Sequence, residues 1–181
     1  MFIKRICYPV RVLGPGKRIG IWVAGCEKRC PGCMSPELQT TDGCGNVSVN
    51  KVISQLCQIK EPIAGVTISG GEPFLQAEEL CELVEYLDAN ITQDIIIYSG
   101  YRIEELHSKN SPYIESILSH ISVLIDGEYR DDLNDGIGLR GSSNQTIHVL
   151  RNIKDYEDLN NAERTLQTFR YNDSILVIGI Q

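Results

Sequence analysis

Five short runs rich in Ile and Val, separated by stretches with helical apolar spacing, restrict this chain to few architectures. The runs are residues 19–24 (IGIWVA), 66–69, 95–98, 123–126 and 146–150. Continuous apolar runs of this length suit strands buried on both faces of a parallel sheet. Between them, Val52, Ile53 and Leu56 follow Asn50 as an N-cap, and Leu80, Leu83, Val84 and Leu87 keep the i, i+3, i+4, i+7 spacing. Ile114, Ile117, Leu118 and Ile121 follow a Ser111 cap with Pro112 at the first helical position. Strand and helix therefore alternate as βα repeats. The tail differs. Residues 165–170 alternate, Tyr171-Asn172-Asp173-Ser174 reads as a turn, and residues 175–178 are apolar, which predicts a closing β-hairpin. Residues 151–163 are polar and hold no clear period.

At 181 residues the chain suits one domain, with residues 1–150 as its body and 151–181 as an extension packed on it. The net charge of −7 disfavours non-specific binding to nucleic acid or an anionic membrane. No apolar run is long enough to span a bilayer, and the first residues lack the apolar stretch of a signal peptide, so the cytoplasm is expected. An odd count of seven cysteines in such a chain argues for metal or redox chemistry over a disulfide framework.

In parallel α/β folds, ligands bind at the carboxyl ends of the strands. The first run leads into Gly25 and the loop Cys26-Glu27-Lys28-Arg29-Cys30-Pro31-Gly32-Cys33. The next three lead into Gly70-Gly71-Glu72-Pro73, Ser99-Gly100-Tyr101 and Asp126-Gly127-Glu128. Three thiolates spaced C-x3-C-x2-C, with two basic residues inside the loop, can wrap one small object. Structural zinc wants a fourth ligand, here Cys44 or a distant histidine. An iron–sulfur cluster can take three thiolates and leave one iron open. The paired glycines allow backbone to approach a ligand, and Glu72 offers a carboxylate to an ammonium group; an ordinary strand-to-helix turn is the plainer reading.

Together these residues resemble the radical S-adenosylmethionine superfamily. Within it the likeness is to the activating proteins of anaerobic (class III) ribonucleotide reductases. It rests on Tyr8-Pro9-Val10, Gly14-Pro15-Gly16, the cysteine loop, residues 69–73, 99–101 and 126–127, and Arg140-Gly141-Ser142-Ser143-Asn144-Gln145. The resemblance implies a shortened, open (βα) barrel and one 4Fe–4S cluster on Cys26, Cys30 and Cys33. It implies S-adenosylmethionine on the open iron, with backbone at Gly32, Cys33 and Met34 flanking the adenine. Gly70, Gly71 and Glu72 would hold the methionine ammonium, with Ser99, Asp126 and Arg140 as polar contacts to ribose or carboxylate. The implied activity is reductive cleavage of S-adenosylmethionine to form a glycyl radical on a partner enzyme, the anaerobic reductase. A low-potential flavodoxin or ferredoxin would supply the electron. Two features depart from the pattern: Met34 stands where the family carries an aromatic residue, and the chain continues past about Arg151.

The same loop would serve a radical enzyme modifying a small molecule or peptide, of the 7-carboxy-7-deazaguanine synthase or peptide-maturing kind; the 140–145 run favours the activator. A non-catalytic zinc or cluster scaffold would have no use for Gly70-Gly71-Glu72. Cys57 and Cys81 are expected in the core, Cys7 and Cys44 stand alone, and His148 reads as a strand histidine.

Overall fold

The computed structural model describes residues 1–154, 156–171 and 174–181. Its main sheet has six strands in sequence order: β1 (Ile3–Val10), β2 (Arg18–Val23), β3 (Gly65–Gly70), β4 (Ile95–Tyr98), β5 (Val123–Asp126) and β6 (Thr146–Val149). β2 to β5 are parallel, and both edges, β1 on β2 and β6 on β5, are antiparallel. The run at 146–150 is thus a half-exposed antiparallel edge, not one more parallel strand buried on both faces. Parallel neighbours in sequence order require crossovers of one hand, which carry the connecting helices to a single face.

Those helices are α1 (Val49–Leu56), α2 (Ala77–Asn90), α3 (Ile103–Ser108) and α4 (Pro112–His120). The N-cap of α1 is Ser48, whose hydroxyl accepts the Lys51 N–H, and Asn50 already lies inside the helix. One core joins the helices to outward side chains of the sheet, among them Ile19, Ile21, Val66, Ile68, Ile95 and Ile97. The second face carries a separate core in which Trp22, Ile96, Val123 and Ile125 meet Tyr156, Leu159, Ile178 and Ile180. Burying an apolar sheet face gains roughly 25 cal/mol per Å², so a face without helices needs another cover, and the segment after residue 150 supplies it. That segment ends in the hairpin β7 (Gln167–Tyr171) and β8 (Ser174–Ile178). Two residues of its expected turn, Asn172 and Asp173, lie outside the described residues.

At the amino ends of the parallel strands, Arg18 is fully buried and reaches the Asp94 carboxylate at 2.6 Å and the Thr67 hydroxyl at 2.7 Å. Tyr156 donates to the same carboxylate at 2.9 Å, and Lys154 pairs with it. Among the described residues no helix is long and apolar enough to cross a membrane.

Candidate functional site

At the opposite end of the strands, their four loops converge on one cavity, which Cys26, Cys30, Cys33, Gly70, Gly71 and Glu72 line. Lys28, Met34, Ser99, Gly100 and Gly127 complete the wall made by these loops. The cysteine loop is anchored at its base, where Gly25 and Cys26 donate their N–H groups to the carbonyls of Leu38 and Gln39. Inside it, Pro31 and Gly32 form a tight turn closed by Cys33 N–H on Cys30 C=O at 3.2 Å. Gly32 at φ 72 is the residue a type II turn demands after proline.

The three thiols share the cavity wall without closing around a point: among the described residues no three His, Cys, Asp or Glu side chains form a set that could hold one metal ion. A tetrahedral zinc at about 2.3 Å from each sulfur would draw its thiolates to within about 4 Å of one another. A four-iron cube spans more and lets its ligands stand further apart. Burial is the main force raising the Cys26 and Cys30 thiols above their ordinary pKa; repulsion from Glu72 and Glu128 respectively, and then from neighbouring thiolates, adds to it, against backbone hydrogen bonds that lower it. The donor set therefore fits an iron–sulfur cluster better than a single zinc.

The Gly70-Gly71 loop is sewn to the end of β2: Gly71 N–H donates to Val23 C=O at 2.8 Å and Glu72 N–H to Gly25 C=O at 2.7 Å. A Cβ on Gly71 would sit 2.2 Å from the Gly25 carbonyl oxygen, and one on Gly70, at φ 115, would sit 2.3 Å from that of Val23. Both glycines are thus required by backbone packing between two site loops. The Glu72 side chain is completely buried; its Oε1 accepts from Phe74 N–H and Ser99 Oγ, each at 3.0 Å, and its Oε2 from Gly100 N–H at 2.7 Å. Burial raises its pKa to about 7 against the pull of these donors and of Lys28. Glu72 therefore joins the third and fourth strand ends.

Lys28 crosses from the cysteine loop to the other side, pairing with Glu128 at 3.2 Å and Glu105 at 3.6 Å. Its ammonium lies over the Tyr101 ring at 4.3 Å, and the Tyr101 hydroxyl donates to Glu27. Burial works against the Lys28 charge, but the two glutamates outweigh it and its pKa rises.

Two expected contacts stand apart from the cavity. Asp126 accepts Ile103 N–H at 2.6 Å at the start of α3, and His148 Nε2 stands 2.9 Å from it, off the line of a hydrogen bond. Arg140 pairs with Asp135 at 3.0 Å. Neither lines the cavity. Cys57 is exposed at the end of α1, contrary to its expected place in the core, because it is the C-cap beyond the last apolar turn; Cys81 is buried. Sequence reasoning missed Trp22, Tyr129 and residues 177–181 among the lining groups. The apolar run at 175–180 signals burial but not which face it covers.

The family described as "4Fe-4S single cluster domain" matches residues 12–148. Among curated proteins, the anaerobic ribonucleoside-triphosphate reductase-activating protein of Salmonella typhi is 33% identical over 80% of this chain and 96% of its own. The protein of that name from Enterobacteria phage T4 is 30% identical over 75% and 86%. A pyruvate formate-lyase-activating enzyme of Staphylococcus epidermidis is 28% identical over 81% of this chain and 59% of its own. The chain belongs to the 4Fe–4S single-cluster proteins and, within them, to the family of anaerobic ribonucleoside-triphosphate reductase-activating proteins.

Proposed function

We propose that this protein is a radical S-adenosylmethionine activase that generates a glycyl radical on an anaerobic ribonucleotide reductase. Cys26, Cys30 and Cys33 would hold three irons of one 4Fe–4S cluster, leaving the fourth to S-adenosylmethionine. When bound, these groups supply one-electron reductive cleavage of the sulfonium and hence a hydrogen-abstracting 5′-deoxyadenosyl radical.

The chain's own residues bind and orient. The turn at Gly32, Cys33 and Met34 offers backbone and a polarizable thioether to an adenine face. Gly70 and Gly71 present main chain beside the cluster loop, and Glu72 supplies the negative charge that a methionine ammonium needs. Ser99 fixes the Glu72 carboxylate by its 3.0 Å hydrogen bond. Asp126 and Arg140 act from outside the cavity, the first on α3 and the second on the 134–141 loop. The sheet of singly wound parallel strands is read as a shortened open barrel, with residues 151–181 as part of the same domain. A low-potential flavodoxin or ferredoxin would deliver the electron, and the cytoplasm is the expected setting.

The observation that carries this reading is the convergence of the three thiols and the Gly70-Gly71-Glu72 loop on one cavity. Anaerobic reconstitution should load about four irons with matching sulfide. Reductant and S-adenosylmethionine should then yield 5′-deoxyadenosine and a glycyl-radical doublet in the electron paramagnetic resonance spectrum of the reductase. Turnover of a small molecule or peptide with no lasting protein radical would refute it.

A further inference from the structure

The family match ends at residue 148, and the relative from Salmonella typhi is covered over 96% of its length by 80% of this chain. The segment after residue 150 is extra to that match, yet five consecutive residues of it, Val177 to Gln181, line the candidate site. Their position is fixed. Arg164, nearly buried, donates to the carbonyls of Ile137, Gly138, Arg140 and Gln181 at 2.5–3.2 Å. Gln167 spans the other side, donating to Pro9 C=O at 2.7 Å and accepting Arg11 N–H at 2.9 Å. Gly179, at φ 142, makes the kink that carries the chain from β8 into the cavity, and a Cβ there would lie 2.5 Å from the Thr165 carbonyl oxygen.

Along β8, Leu176 and Ile178 turn into the core while Ile175 and Val177 remain 70% and 46% exposed. Val177 is thus both exposed and part of the lining, which puts it at the mouth. The charges around the cavity indicate what enters there. Its lining cations are Arg5 and Lys28, and each is already faced by carboxylates, Glu37 for the first and Glu105 and Glu128 for the second. Among the described lining residues, neither cation is without a carboxylate partner. A neutral polypeptide segment, offering apolar side chains and main-chain amides, matches an apolar strand.

We propose that residues 177–181 form the partner-specificity wall of the site: Val177 at its mouth, with Ile175 beside it on the exposed face of β8 though outside the lining, contacts the apolar flank of the partner's activated segment as it enters. This rests on the activase reading and adds which part of the chain selects the polypeptide. A charge set against an apolar flank loses its water without gaining a partner, so a glutamate at either position should weaken binding about ten-fold or more.

The test compares reconstituted full-length parent, Val177→Glu, Ile175→Glu and the conservative Val177→Ile against a cognate anaerobic ribonucleotide reductase. Both glutamate variants should keep the parent's iron content and melting temperature. They should bind the reductase about ten-fold more weakly and raise the ratio of 5′-deoxyadenosine formed to protein radical formed, whereas Val177→Ile should match the parent. Glutamate variants that bind and activate the reductase like the parent would overturn the wall and leave the activase reading standing. A parent that forms no radical on any glycyl radical enzyme would overturn the activase reading, and the wall with it.

Discussion

Two buried carboxylates mark the two ends of this sheet, and they are treated in opposite ways. Asp94, before β4, is met by the Arg18 guanidinium at 2.6 Å, the Tyr156 hydroxyl and the Lys154 ammonium. Glu72, after β3, is met in hydrogen bonding by uncharged donors alone: two backbone N–H groups and a serine hydroxyl. The first charge is neutralised within the fold. The second is held in place with its neutralisation left undone, and its pKa rises to about 7. One end pairs its buried carboxylate with cations; the other holds its carboxyl on neutral donors, where burial raises its pKa.

The sharpest way to break this comparison is to remove the site's thiols. Cys26→Ala, Cys30→Ala or Cys33→Ala should abolish cluster loading, read as iron content and visible absorption, while thermal unfolding of the metal-free protein barely moves. Arg18→Met should do the reverse. Stripping one partner from a buried pair costs about 3–5 kcal/mol, measurable by denaturant unfolding, with iron loading of the folded protein retained.

The next effect is one of pH. The folded protein keeps Glu72 protonated up to about pH 7, whereas the unfolded chain ionises it near 4.5. Folding takes up a proton between those values, so the stabilisation is fully present below 4.5 and is lost as pH rises through about 7. Metal-free protein should lose about 2–3 kcal/mol over that window, and Glu72→Gln should flatten the slope. S-adenosylmethionine, as a cation, should bind the reconstituted protein more tightly as pH rises toward 7, with proton release that calorimetry in buffers of different ionisation enthalpy can count. Glu72→Gln should itself weaken that binding about ten-fold, the loss of a charge-assisted contact. Smallest of all, Cys57→Ala at its exposed position should change stability by under about 0.5 kcal/mol and leave iron content unaltered.

The difference between the ends also explains what could be read from the sequence. β2 to β5 were legible because strands buried on both faces carry near-continuous apolar runs, broken here only by paired polar groups such as Arg18 and Thr67. β1 was not: it is an antiparallel edge whose run is broken by Lys4 and Arg5, and half-buried strands there need no continuous pattern. α3 escaped because six residues do not establish a helical period. The cysteine loop and the Gly70 to Glu72 run were legible because special chemistry and tight backbone turns both demand particular residue types. Asp126 was expected at the site from its strand end and from the resemblance, and Arg140 from the resemblance; in the fold Asp126 turns toward α3 and Arg140 toward Asp135. The contribution of residues 177–181 depends on how a distant hairpin folds back, which no local pattern encodes.

The Arg164 clasp has a consequence for descent. Five of the atoms it grips are main-chain carbonyls, of Ile137, Gly138, Arg140, Gly141 and Gln181, which every residue type provides. Side chains at Ile137, Arg140 and Gln181 can therefore drift over generations without loosening the strand that Arg164 anchors. The exposed positions of that strand, Ile175 and Val177, can then be rewritten one at a time while the cysteine loop stays as it is.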